Sequence, residues 1–359
     1  SSAASDVYKR QANDWNLVPG VALTAGQMAQ LTSDIVWLVQ RSVTLANGET
    51  RQVLVPQVYV RVREGDLTGN GALIAGQQLK LDLSSDLLNS GSLGGRSVMA
   101  LTAQNIDNLG GRIQANNVSL QTRDSLNNLG GLIGATDSLA IDAGQDINVR
   151  SLTRDSSSEQ GSRTNVSRVA GLFVSGAEGT MRVSAGNDLN LAAAQVVNTG
   201  AGGVTQLEAG RDVNLTTLGE SHQQSLVWNS SNWRNEASRG EAGSTVQATG
   251  DLRVQAGQDI AARGATFRSE EGMVLAEAGR DLTLAASEQY QFADEAHKFK
   301  GSNGLFSSKT TTLRDTVSQT QASGSTLSAE QAYLQAGRDI NVRGSDVGST
   351  SQTVLGADR

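Results

Sequence analysis

The chain has 359 residues, of which 40 are Gly and only 2 Pro; it has no Cys, 4% aromatics and a net charge of −7. That balance excludes the basic face that nucleic-acid binding needs, and any disulfide framework. No apolar run approaches a membrane helix; Ile35–Val39 is far too short.

Residues 1–14 read as linker or disordered, and residues 15–65 as a small α+β cap. Thr24-Ala-Gly-Gln27 matches a capping box and opens a short helical run, Met28–Leu31. Apolar runs come next at Ile35–Val39, Val43–Leu45, Val53–Val55 and Val58–Val60, with Asn47-Gly48 as a hairpin signal between them. Pro56 argues for an edge or a break. Such a unit would cover the open end of a β-structure C-terminal to it.

Residues 66–359 are repetitive. Leu88-Asn-Ser-Gly-Ser-Leu93, Ile106-Asp-Asn-Leu-Gly-Gly-Arg-Ile113 and Leu126-Asn-Asn-Leu-Gly-Gly-Leu-Ile133 recur about twenty residues apart. A buried amide can donate to one coil and accept from the next, which predicts a stack of Asn89, Asn108 and Asn128. A second phrase, Ala-Gly-x-Asp-aliphatic-x-aliphatic, carries Asp146, Asp188, Asp212, Asp259, Asp281 and Asp339. Ala248-Thr-Gly-Asp-Leu-Arg-Val254 is a looser copy. Each phrase reads as a turn, with Gly at φ > 0 and Asp holding the loop, followed by a short strand. Close copies start about 20–25 residues apart, as from Ala185 to Ala209, the length of one β-helix coil. The expected fold is therefore all-β, a right-handed parallel β-helix of about a dozen coils and roughly 60 Å. Arg211, Arg280 and Arg338, before the turn Asp, read as solvated charges that discourage edge pairing.

Three stretches interrupt the rhythm, near 151–180, 216–246 and 285–326, and read as long excursions. They hold Trp228, Trp233, Phe299 and Phe306, the candidate partner contacts, because loops on a rigid scaffold tend to carry binding. The two histidines, His222 and His297, also lie there without metal-ligand spacing. Asp294 and Glu295 are the unexplained acidic pair that a glycan-cleaving β-helix would require. The recurring Asp residues are architectural by their phase, so no catalytic residue, metal or cofactor is expected.

The repeats resemble the filamentous haemagglutinin repeats of bacterial two-partner secretion exoproteins. Leu23–Val39, Val53–Val60 and Gly71-Ala-Leu-Ile-Ala-Gly76 are similar to the opening of the second repeat region of CdiA-type contact-dependent inhibition effectors. Gly304-Leu-Phe-Ser-Ser-Lys-Thr-Thr-Thr312 and Gly324-Ser-Thr-Leu327 resemble the excursions of that region. The resemblance implies a secreted protein on the surface of a Gram-negative cell, exported by an outer-membrane two-partner transporter. It implies a non-enzymatic, monomeric segment that meets the target-cell outer membrane or its proteins, transfers to that membrane, and helps a C-terminal toxin across. The secretion domain and toxin of the family are not in this sequence, which reads as a piece of a longer protein. The alternatives are the stalk of a haemagglutinin-like adhesin and, further off, a glycan-processing β-helix.

Overall fold

The computed structural model describes residues 35–44, 50–59, 73–302 and 308–358. The capping box at 24–27, the helical run 28–31, the Asn47-Gly48 turn and Phe306 lie outside the described residues. Among those described, every regular element is a strand. Ile35–Thr44 and Thr50–Tyr59 pair antiparallel as a separate two-stranded sheet. Pro56 sits within its second strand opposite Leu38, which a two-stranded sheet permits because each strand is an edge.

From Leu73 onward the chain winds as a parallel β-helix. One coil runs Gly171–Val174, Thr180–Ala185 and Leu189–Ala192. The next runs Gln195–Asn198, Val204–Ala209 and Val213–Thr216, and each strand stacks in parallel on its counterpart. The short third strands form a nine-stranded sheet, while the other two faces are wrapped by a single fourteen-stranded sheet. Strands such as Leu132–Ala143 serve both of those faces by bending at a register shift.

Period-two alternation aims one residue in two at the axis. Equivalent positions stack into columns, as in Ile147–Leu189–Val213–Ile260–Leu282, each no more than 1% exposed. Burying each large aliphatic contributes roughly 1.5–3 kcal/mol. Within the core cluster Phe267 is the only aromatic. A narrow interior filled by Ala, Val, Leu and Ile explains how the chain manages with so few.

Two corners explain the glycines, and one departs from expectation. The glycine of the Asp phrase does not have positive φ. Positive φ occurs instead at Gly110, Gly130, Ala193, Gly264 and Gly344, each the first residue after a short strand. Gly186, Gly210, Gly257, Gly279 and Gly337 are required for a different reason. A Cβ on any of them would run into the carbonyl oxygen of the glycine one coil below.

The short-strand sheet has nine members, so the described rod spans about 40 Å rather than 60 Å. The missing length has gone sideways, into three antiparallel hairpins: Leu152–Arg168, Leu218–Ala242 and Ser287–Ser323. All three leave from the same corner, after the short strands Ile147–Arg150, Val213–Thr216 and Asp281–Ala285. The intervening coils turn there directly, through the positive-φ residues Ala193 and Gly264. From Ile147 onward one hairpin thus emerges at every second coil. Two coils rise about 10 Å, and two paired strands occupy the same width. The hairpins therefore meet as a continuous six-stranded sheet beside the rod.

Candidate interaction surface on the hairpin sheet

The rod's polar residues are mostly engaged with one another. The Asn89 side chain donates to Asn108 Oδ1 at 2.7 Å, and Asn108 donates to Asn128 Oδ1 at 2.8 Å. Asn108 and Asn128 are fully buried. Asn108 also donates to the Gly111 carbonyl, and Asn128 to that of Gly171. At Gly111 and Gly131 a Cβ would collide with this ladder, which explains the second glycine of the Leu-Gly-Gly phrase.

The Asp residues form another ladder. Asp146 Oδ1 accepts the backbone N–H of Asp188 at 3.1 Å, Asp188 that of Asp212 at 3.3 Å, Asp212 that of Asp259 at 3.0 Å, and Asp259 that of Asp281 at 3.1 Å. Asp339 lies in register beside Asp281. The arginines before the turn are solvent-exposed, and each is also paired with an Asp of the neighbouring coil, which their position did not reveal. Arg211 forks onto Asp188, Arg280 onto Asp259 and Arg338 onto Asp281, with Nε–Oδ1 distances of 2.8 Å in each case. The Arg211 hydrogen bond holds the Asp188 carboxyl below the ordinary range, and Arg280 does the same for Asp259, in each case against the opposing pull of burial. A third ladder escaped notice in the sequence. Asn148 donates to Asn127, Asn190 to Asn148, and Asn214 to Asn190, at 2.8–3.0 Å along the outer side of the short-strand sheet. Its signal was Asn at the sixth place of the phrase.

The hairpin sheet is built differently. Its hairpins lengthen along the rod, with first strands of 7, 12 and 16 residues. They join edge to edge, Gly161–Thr164 against Ser221–Gln224 and Trp233–Arg239 against Tyr290–Ala296. Glu241 locks the base: it accepts Arg263 at 3.1 and 2.8 Å, Thr217 at 2.9 Å and the backbone N–H of Glu288 at 2.6 Å. Arg263 holds its carboxyl below the usual value. Nothing periodic marks Glu241 in the sequence.

Strand alternation divides the candidate contacts between the two faces. On one, Arg314 lies 5.4 Å over the Trp233 ring and grips Asp294 at 3.1 and 3.0 Å, with Thr316 donating to the same carboxylate. Arg314 holds Asp294 ionised below the ordinary range. On the other face Trp228, His297 and Phe299 form a row, with ring centroids 6.3 and 6.1 Å apart. Trp228 and Phe299 are 60% and 59% exposed, and Leu313, opposite His297, is 53% exposed. Glu295 lies 3.6 Å from His297 and 3.7 Å from Arg234. Asp294 and Glu295 therefore point away from each other across the strand and do not form the paired carboxylates a glycosidase needs. His222 lines a polar cleft of about 470 Å³ with Arg163, Glu220 and Gln291 at the sheet's base. Among the described residues no group of three or more His, Cys, Asp or Glu could hold a metal ion.

Stacked coils with a flanking hairpin sheet make the chain a β-solenoid, and residues 227–348, which span the third hairpin, match the hemagglutinin repeat family model. The chain is 27% identical to the tRNA nuclease CdiA of Escherichia coli (strain STEC_O31) over 94% of its own length, and 30% identical to the deoxyribonuclease CdiA of Dickeya dadantii (strain 3937) over 92%. It is 31% identical to the toxin CdiA of Yersinia pestis over 45% of its length. It spans only 12%, 12% and 5% of those three proteins. No solved structure matches the chain significantly. The chain is a CdiA-like filamentous haemagglutinin repeat region. That relationship implies a secreted cell-surface protein of a Gram-negative bacterium.

Proposed function

We propose that this segment is a non-enzymatic delivery element of a contact-dependent inhibition effector. The hairpin sheet faces the target cell, and the rod holds it in place while a C-terminal toxin crosses the target's outer membrane. The observation that carries this reading is the exposed Trp228–His297–Phe299 row on a sheet locked to a rigid scaffold. Leu313, paired with His297 and 53% exposed, adds an apolar side chain to the row. Exposed apolar groups gathered on one surface mark interaction sites. The nuclease activities named for the relatives belong to those proteins, of which this chain spans a small part.

The test is deletion of residues 66–359 from the parent protein, scoring target binding and target killing side by side. Binding kept with killing lost supports delivery. Loss of both makes the segment part of a stalk or receptor-binding apparatus, and retention of both reduces it to a spacer. Trp228→Ser with Phe299→Ser, in a folded protein, is expected to lower killing without lowering export. Of the four contacts named from the sequence these two carry the proposal, since Trp233 is engaged with Arg314.

A further inference from the structure

The cations of this chain are unevenly placed. Only five are lysines, and three of those, Lys298, Lys300 and Lys309, fall within twelve residues at the far end of the third hairpin. Three arginines of the rod, Arg211, Arg280 and Arg338, are instead clamped to Asp of the neighbouring coil. None of these three lysines makes an ion pair among the described residues, and all three are exposed.

Their position is set by the stepped lengths of the hairpins. The second hairpin turns between Asn229 and Asn232, and the Asn232 side chain accepts the backbone N–H of Lys298 at 2.7 Å. Beyond that point the third hairpin continues without a neighbour from the second, Phe299 pairing with Thr311, Lys300 with Thr310 and Gly301 with Lys309. Alternation puts Lys298 and Lys300 on one face, and Phe299 with Lys309 on the other. The projecting end thus carries ammonium groups on both sides of an exposed aromatic ring. Trp228 stands one step below, coupled to it through His297.

We infer that this end is an anchor for an anionic lipid surface, with the lysines at the level of the phosphate headgroups and Phe299 and Trp228 at the boundary with the acyl chains. The inference rests on the reading that the hairpin sheet faces a target cell. Lys is a compact charge on a flexible stem, suited to a fluid array of phosphates, whereas a forked Arg suits one fixed partner. Aromatic rings favour the interfacial layer. Firm attachment takes apolar burial together with basic charge, and this end offers both. Charge on both faces favours immersion among headgroups over docking on one acidic protein surface. The chain as a whole is at −7, so attraction to an anionic surface has to come from local groups of basic side chains such as this one.

The experiment is co-sedimentation of the 359-residue chain with phosphatidylcholine vesicles, with and without phosphatidylglycerol. The expected result is binding that requires phosphatidylglycerol and weakens with salt. The triple variant Lys298→Gln, Lys300→Gln, Lys309→Gln is expected to lose about a hundredfold in partitioning. Phe299→Ser is expected to lose about tenfold. Equal binding to both vesicles, no binding to either, or an unchanged triple variant would overturn the anchor. All three lysines are exposed, so an unaltered circular dichroism spectrum is expected and checks the fold. Failure here leaves the delivery reading standing, while failure of the deletion assay leaves the anchor standing.

Discussion

Asn108→Ala should be among the most damaging single changes in the rod. Asn108 is fully buried, with its amide between Asn89 at 2.7 Å and Asn128 at 2.8 Å. Truncation takes the donor from Asn128 Oδ1 and the nearer acceptor from Asn89 Nδ2, which keeps the Arg112 carbonyl at 3.3 Å. A buried polar group left unpaired costs about 1–3 kcal/mol, so the orphaned Asn128 oxygen, the weakened Asn89 contact and the small void together give about 2–4 kcal/mol. Asn190→Ala removes a similar pair of bonds, to Asn148 and from Asn214, but on the half-buried outer face. Water can replace those partners, and the cost falls to about 1 kcal/mol or less. Urea unfolding followed by far-ultraviolet circular dichroism compares the two. Hydrogen exchange should confine the Asn108 effect to coils near 89–131, since a solenoid coil contacts only its neighbours. Equal losses in the two variants would refute the argument that burial, and not the ladder pattern, sets the stability.

Gly279→Ala places a Cβ against the Gly257 carbonyl and is expected to destabilise by about 3 kcal/mol in the same assay, although φ there is unexceptional. Asp188 and Asp259 have depressed folded-state values, so their stabilisation is present at neutral pH and lost as pH falls below about 4. Arg280→Gln should lower stability slightly at pH 7, with the gap to the parent closing as acid protonates Asp259; a gap independent of pH would sink the ion-pair account. Excision of 287–324 with Ala286→Gly should leave a corner of the kind at Arg263–Thr266, where Gly264 has φ 54°. The shortened protein is expected to unfold cooperatively at nearly the same urea concentration, and loss of cooperativity would show that the hairpins are needed to fold the coils.

The coil was legible because its determinants are local and recur. Asp188 and Leu189 announce a turn and a strand by phase alone, and the Leu-Asn-Asn-Leu-Gly-Gly phrase carries both an amide and the space for it. Contacts between coils were harder to see. Arg280 reaches back to Asp259 across a separation of 21 residues, and nothing in the Gly-Arg-Asp triplet reveals whether the guanidinium turns inward or outward. The reason for the glycines was likewise hidden: their constraint is a carbonyl in the preceding coil, not their own torsion. The hairpin sheet was least legible. Trp228 and Trp233 are five residues apart yet lie on opposite faces, one exposed and the other under Arg314, because a bulge falls between Val227 and Asn229. His297, an isolated loop residue by sequence, owes its place to rings from two hairpins.

The matching of two strands to two coils constrains how such a protein can change length. Adding or losing one coil would shift every later hairpin by one strand width, opening a gap in the sheet or forcing an overlap. Adding or losing two coils together with their hairpin would leave both stacks in phase. The heritable unit is therefore a pair of coils and one hairpin, the spacing that separates Ile147–Arg150 from Val213–Thr216 and the latter from Asp281–Ala285. Related chains of different length are expected to differ by whole units of that size.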